Sequence, residues 1–175
     1  MEIAEIEKQI RQIPDFPAPG ILFMDILPIL RSPDHFNAMT HHLSQFAGVV
    51  DCVVGIEARG LILGTALALH MDKGFVPLRK AGKLPGEVLS ISYGLEYGND
   101  VIEVQKDILN KGERVMLVDD VLATGGTLIA SVKLLQQCGV VIDSVVVALE
   151  IAGLPGRANF EKEFPDLKLS ALITK

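Results

Sequence analysis

The sequence predicts an α/β fold: an open, mainly parallel twisted sheet flanked by helices. Three observations carry this. Short apolar runs alternate with helical patterns in about four strand–helix units, and such alternation implies right-handed crossovers with helices on both faces of a sheet. The run at 115–118 is continuously apolar, as in a strand covered on both sides. At 175 residues, 49% of them hydrophobic, the chain fits one domain over 1–175 and can enclose the core such a sheet needs.

The elements follow in order. Ile3, Ile6, Ile10 and Ile13 recur at helical spacing, which predicts an amphipathic helix over 2–12, ended by Pro14. Pro14, Pro17, Pro19 and Gly20 then force an irregular segment that carries Phe16, Ile21, Leu22 and Phe23, apolar groups that must pack on the domain or cover a ligand. Ser32-Pro33 starts a helix over about 33–47, stopped near Gly48. Residues 52–56 read as a buried strand opening into Glu57-Ala58-Arg59-Gly60, and 61–70 read as a helix. A third strand at 74–79 ends in the basic loop RKAGKLPGE. Residues 87–97 and 101–106 alternate like half-buried strands around a Gly98-Asn99-Asp100 turn. The 115–118 strand ends on Asp119 and Asp120; a short turn at 121–123, a loop to Thr127 and a helix from Leu128 to about Gln137 follow. Strands near 144–149 and 167–173, with a helix over about 155–163 between them, close the chain.

Composition excludes several classes. A formal charge of −6, from 16 basic and 22 acidic residues, argues against a general nucleic-acid or anionic-membrane surface, so any anion site must be local. No stretch approaches the roughly 18 uninterrupted apolar residues of a spanning helix, and the N-terminus MEIAEIEKQI is acidic and amphipathic, unlike a secretory signal. Cys52 and Cys138 lie in apolar surroundings without CxxC or Cys/His spacing, which reads as buried reduced thiols in a cytoplasmic protein. His35, His41, His42 and His70 have no metal-ligand spacing.

The chemistry concentrates in VMLVDDVLATGGT (115–127). Glycines let backbone N–H groups turn inward around a phosphate, and the following helix N-terminus adds unsatisfied donors and partial positive charge. Two adjacent carboxylates would repel a second bare phosphate but welcome hydroxyls or a metal ion, so the pair of features suits a sugar phosphate. The plain alternative is a capped strand–helix turn with two solvated aspartates. Arg59 stands at a strand's C-terminal end, where open α/β sheets bind ligands; otherwise it is a surface arginine paired with Glu57. Arg79, Lys80 and Lys83 form a basic cluster in an acidic chain. GxxxxGK[ST], GxGxxG and GxSxG are all absent, which removes P-loop, dinucleotide-binding and serine-hydrolase readings.

The 115–127 stretch resembles the phosphoribosyl-pyrophosphate (PRPP) motif of type I phosphoribosyltransferases. FPAPGILFMDI (16–26), GIEARG (55–60), LRKAGKLPG (78–86) and SYGLEYG (92–98) narrow the resemblance to the adenine phosphoribosyltransferase family, over most of residues 10–155. The resemblance implies the type I fold with a small N-terminal hood over about 1–35 and a flexible lid loop with its hairpin at 81–98. It implies transfer of the 5-phosphoribosyl group from PRPP to N9 of adenine, giving AMP and pyrophosphate, with Mg²⁺ carried mainly by PRPP near Asp119 and Asp120, in a homodimer.

Carried over by position, Ala123, Thr124, Gly125, Gly126 and Thr127 would cradle the 5-phosphate, and Asp119 and Asp120 would hold the ribose hydroxyls. Arg59, Lys80 and Lys83 would face the pyrophosphate, with Arg79 reaching across a dimer interface. Phe23 would stack on adenine opposite Ile151, while the backbones of Leu22 and Met24 read the base edge; Tyr97 would also contact substrate. Glu96 would be the acid–base group near N7, with Arg59 and Lys80 assisting catalysis; its plain alternative is a strand-edge acid paired with Lys80 or Lys83. One residue departs from the family: Met24 stands where arginine is usual. Two other functions stay open, transfer to guanine, hypoxanthine or xanthine, and a non-catalytic PRPP sensor. The absence of a lysine beside Leu149, Glu150 and Ile151 favours adenine over a 6-oxo purine.

Overall fold

A computed structural model of the chain describes residues 1–95 and 98–175, with the side chains at 95, 98 and 99 excepted. In chain order its elements are α1 (Ile3–Glu7), β1 (Arg11–Ile13), β2 (Phe23–Asp25), α2 (Leu27–Arg31), α3 (Pro33–Ser44), β3 (Cys52–Ile56), α4 (Arg59–His70), β4 (Gly74–Lys80), β5 (Val88–Leu95), β6 (Gly98–Gln105), β7 (Arg114–Leu122), α5 (Gly126–Gln137), β8 (Val141–Glu150), α6 (Gly156–Glu163) and β9 (Leu169–Thr174). Among these residues no helix is long and apolar enough to cross a membrane.

Strand β7 is the third of the five parallel strands, β4-β3-β7-β8-β9, and so the centre of the parallel part of the sheet. The seven-stranded sheet runs β5-β6-β4-β3-β7-β8-β9, with β4, β3, β7, β8 and β9 parallel and the β5–β6 hairpin added antiparallel on β4. Val115 and Leu117 of β7 enter a core shared with Leu128, Leu134 and Leu135 of α5 and Phe160 of α6. Met116 and Val118 enter a second core with Ile6, Met39, Leu43, Leu63 and Leu67 from α1, α3 and α4. Alternate residues thus feed opposite faces, and all four have no exposed surface. Full burial of such side chains is worth roughly 1.5–3 kcal/mol each, which is why an uninterrupted apolar run fixes this strand at the centre.

Four expectations are corrected. The helix expected over 2–12 ends at Glu7, because Arg11–Ile13 pairs antiparallel with Phe23–Asp25 and an Arg11–Asp25 ion pair at 2.6 Å closes that register. The segment expected to be irregular therefore contains a strand and the short helix α2, whose start is held by the Leu27 N–H donating to Asp25 Oδ1 at 2.9 Å. Gly98, Asn99 and Asp100 belong to β6 rather than to a turn, since Leu95 pairs with Gly98 and Tyr93 with Asp100. Strand β7 runs past Asp119 and Asp120 to Leu122, and α5 starts at Gly126 rather than Leu128.

Candidate active site

The site forms where the C-terminal ends of β3 and β7 meet the starts of α4 and α5, the crevice in which open α/β sheets bind ligands. A cavity of about 370 Å³ there is walled by Glu57, Arg59, Asp119, Asp120 and the 123–127 loop. The close approach of α4 to β7 needs Gly60: a Cβ on it would lie 2.9 Å from the Val118 carbonyl oxygen and 3.0 Å from Asp119 Oδ1. Gly125 sits in the left-handed region at φ 86°, which brings the chain from β7 into α5 and leaves the first N–H groups of a twelve-residue helix facing the cavity's end. The loop is braced from behind, because Asn159 Nδ2 of α6 donates to the Thr124 carbonyl at 3.0 Å.

The acids are not solvated. Asp119 and Asp120 are 8% and 6% exposed, and Arg59 Nε lies 2.5 Å from Asp120 Oδ2. That oxygen has no aligned hydrogen bond, so the contact is an ion pair whose acceptor capacity is largely unused. Burial, reinforced by the charge on Asp120, raises the Asp119 carboxyl well above its ordinary value. Burial also raises Asp120, with Arg59 working against it. Arg59 is therefore not the partner of Glu57. Glu57 instead takes Arg79 in a two-point contact (Nε to Oε2 2.9 Å, Nη2 to Oε1 3.2 Å) and the Lys80 N–H at 2.7 Å. The Arg79 bonds hold its carboxyl below the usual range against the opposing effect of burial.

A second cavity of about 400 Å³ adjoins the first through Arg59 and is lined by Arg11, Ile13, Phe16, Phe23, Asp25 and Leu27 as well. The Arg59 guanidinium carbon stands 4.8 Å over the Phe23 ring, and Phe16 meets that ring edge-on with centroids 5.1 Å apart. Burial opposes the charge on Asp25, yet the Leu27 N–H and Arg11 together bring its carboxyl below the ordinary value.

Of the residues singled out in the sequence, Arg59, Asp119, Asp120, Ala123, Thr124, Gly125, Gly126 and Thr127 line one cavity and Phe23 lines its neighbour. Leu22 is exposed beside Phe23, whereas the Met24 side chain is turned into the core with Ile6, Ile10 and Ile29. Ile151 packs on that same core, its N–H donating to the Leu122 carbonyl at 2.9 Å. Arg79 is paired within its own chain, Lys80 Nζ sits 2.8 Å from Asp100 Oδ2, and Lys83 lies exposed on the loop after β4; none of the three lines the cavities. Glu96 and Tyr97 lie outside the described residues. Sequence reasoning missed Glu57 as a wall and anchor, although the GIEARG stretch contains it, and missed Asn159 and Asp100, whose only signal is spatial.

Among the described residues no three His, Cys, Asp or Glu gather around a metal-sized point. The donor set on offer is the carboxylate pair Asp119 and Asp120, which suits Mg²⁺, an ion that keeps several waters and binds through one or two carboxylates plus substrate phosphates.

Comparison with known proteins agrees with this geometry. The phosphoribosyl transferase domain family matches residues 35–169. The adenine phosphoribosyltransferase of Streptomyces coelicolor is 48% identical over 168 residues, covering 95% of this chain and 92% of that one. The crystal structure of adenine phosphoribosyltransferase from Thermoanaerobacter pseudethanolicus superposes with a TM-score of 0.93 at 43% identity, covering 99% of this chain and 100% of that one. The enzyme from Saccharomyces cerevisiae, crystallised with D-2,5-dideoxy-2,5-imino-altritol 1,6-bisphosphate and adenine, superposes with a TM-score of 0.90 at 36% identity over 97% of each chain. Likeness of this extent, in sequence and in fold, makes the chain a member of the adenine phosphoribosyltransferase family.

Proposed function

We propose that this chain converts adenine and PRPP to AMP and pyrophosphate. The observation that carries the reading is a pair of adjoining cavities that share Arg59 as a wall, the first with a glycine loop and helix N-terminus at one end and two buried carboxylates beside it, the second lined by aromatic rings. Phosphate, hydroxylated sugar and flat base then lie in the order in which AMP carries them.

The division of labour follows from charge. The 123–127 loop holds the 5-phosphate through backbone N–H groups and the hydroxyls of Thr124 and Thr127, and Asp119 and Asp120 accept from the ribose hydroxyls. Displacement at the anomeric carbon passes through an oxocarbenium-like state, whose cost falls as the leaving group's charge is neutralised and the purine is activated. Mg²⁺, carried mainly by PRPP and passing near Asp119 and Asp120, would offset charge on the departing pyrophosphate. Arg59, fixed in the cavity wall, and Lys80 and Lys83, on long stems outside it, supply positive charge to the pyrophosphate. Phe23 stacks on adenine with Ile151 opposite, and the Leu22 and Met24 backbones read its edge. Because the Met24 side chain is buried, replacing the family's arginine leaves that backbone role intact.

Glu96, protonated or sharing a proton with N7, activates the base, a contribution typically of 10²- to 10⁴-fold. The 81–87 loop, with Gly82 and Gly86 at φ 75° and 77°, excludes water as a lid, and residues 1–35 serve as the hood of a single domain. The same reading makes the enzyme a cytoplasmic homodimer, in keeping with its free Cys52 and Cys138.

The test is a purine panel with PRPP and Mg²⁺, following pyrophosphate release. Turnover with adenine and none with guanine, hypoxanthine or xanthine is expected. Preference for a 6-oxo purine would replace the base assignment, and PRPP binding without turnover of any purine would leave a sensor.

A further inference from the structure

A chain of polar side chains runs from Lys80 to Thr127 of the 123–127 loop, and its two middle members, Asp100 and Tyr93, have no part in the roles above. Lys80 Nζ lies 2.8 Å from Asp100 Oδ2, the Tyr93 hydroxyl donates to the same oxygen at 3.4 Å, and Thr127 Oγ1 donates to the Tyr93 hydroxyl at 3.3 Å. Asp100 is fixed in place by the hairpin register that sets it opposite Tyr93, and its Oδ1 accepts the Val101 N–H at 3.0 Å. Its side chain is 22% exposed, against 58% for Lys80. A carboxylate is thus held rigidly within reach of the phosphate loop, while the lysine bound to it rides on a flexible four-carbon stem in contact with water.

We propose that Asp100 is a placeholder anion, holding the Lys80 ammonium in the empty site and yielding it to the pyrophosphate group of PRPP, so that Asp100 sets the affinity for pyrophosphate-bearing ligands. The inference rests on the assignment of Lys80 to that group. An ion pair this open to solvent is weak, and a multiply charged diphosphate competes for the ammonium on favourable terms. Once the lysine has moved, Asp100 keeps its charge, buried enough to repel the pyrophosphate and favour its release after transfer. Asp100 is a positioning residue that acts through Lys80 and touches no reacting atom.

Asp100→Asn removes the charge, keeps one oxygen to accept the Val101 N–H, and puts an amide nitrogen where Oδ2 stood, to which the Tyr93 hydroxyl can act as acceptor. Its KM for PRPP and its inhibition constant for pyrophosphate should both fall, by about fivefold, the ratio that ~1 kcal/mol of lost competition corresponds to. Inhibition by AMP, which has no group to place at Lys80, should stay unchanged, and Asp100→Ala should move the first two constants the same way. Lys80→Met separates the inference from its foundation. If Lys80→Met raises the KM for PRPP but Asp100→Asn leaves it unchanged or raises it, the placeholder role is overturned and the Lys80 assignment stands. If Lys80→Met leaves PRPP and pyrophosphate constants unaltered, both fail together. A fall in the AMP constant equal to that for pyrophosphate would also overturn the inference, since it would mark a general loss of negative charge.

Discussion

Asp120 Oδ2 and Arg59 Nε stand 2.5 Å apart, joining the acidic end of β7 to the first residue of α4. The pairing gives Arg59 two faces, one on a buried carboxylate and one over the Phe23 ring 4.8 Å away. A single guanidinium therefore fixes the buried acids of β7 relative to the aromatic ring of β2. Arg59→Lys should keep the charge but lose the planar contact with Phe23. Adenine KM should rise by about tenfold, with the thermal midpoint within a few degrees of the parent; an unchanged adenine KM would separate Arg59 from the base cavity.

The two acids should reveal themselves through pH. Burial and mutual repulsion raise Asp119, and burial raises Asp120, so protons remain on the pair at pH values where an exposed carboxyl has lost them. On the proposed assignment of the pair to the ribose hydroxyls, binding requires the ionised form, so the affinity for PRPP should fall on acidification, by up to about tenfold per pH unit for each proton that must leave. Titration of the ligand's own phosphates contributes equally to parent and variant. Calorimetry on Asp119→Asn should show a weaker Kd and a shallower slope; parallel slopes would remove the pair from the binding event.

Asp25 makes the opposite prediction for stability. Its carboxyl is held below the ordinary value in the folded chain by the Leu27 N–H and Arg11, which outweigh burial. A lowered acid stabilises the fold above its unfolded-state pKa, near 4, and loses that contribution as pH falls through the folded value. Asp25→Asn should thus cost about 1–3 kcal/mol at neutral pH, with the gap between parent and variant closing below pH 4. The cost is set nearer the lower end because Arg11 is 62% exposed. Denaturant melts at pH 7 and over a descending series below pH 4 measure both; a gap that does not narrow along that series would assign the effect to packing.

What the sequence could disclose differed from element to element for physical reasons. The 115–118 run was legible because double-sided burial leaves no polar position in it, and the 123–127 loop because few residues but glycine accept the backbone it needs. The Arg11–Ile13 strand is hidden, since Ile10 before it and Ile13 within it continue the helical spacing of α1 and only the pairing with β2 ends the helix. The Gly98-Asn99-Asp100 signal was read as a turn because those residue types favour one, yet the hairpin register enlists them as strand. Asp100 and Asn159 carry no local signal, and their relevance arises from what β4 and β7 bring beside them.

The 123–127 loop, proposed to hold the 5-phosphate, is supported by α6. Asn159 Nδ2, which does not line the cavity, donates to the Thr124 carbonyl at 3.0 Å and so ties the loop to α6. The start of α6 lies so close that a Cβ on Gly125 would meet the Gly156 carbonyl oxygen at 2.9 Å, and a Cβ on Gly156 would collide with the Ala123 carbonyl oxygen. Asn159→Ala removes the one directed bond in that contact and leaves the helix packing untouched. Its effect should fall on ligands with a 5-phosphate: KM for PRPP and the inhibition constant for AMP should rise about three- to tenfold, the range of one lost hydrogen bond, while adenine KM stays level. Asn159→Asp, unable to donate, should behave like alanine, and Asn159→Gln should recover part of the loss if its longer chain reaches the carbonyl. A uniform rise in every constant, adenine included, would mean that α6 supports the fold at large and not the loop.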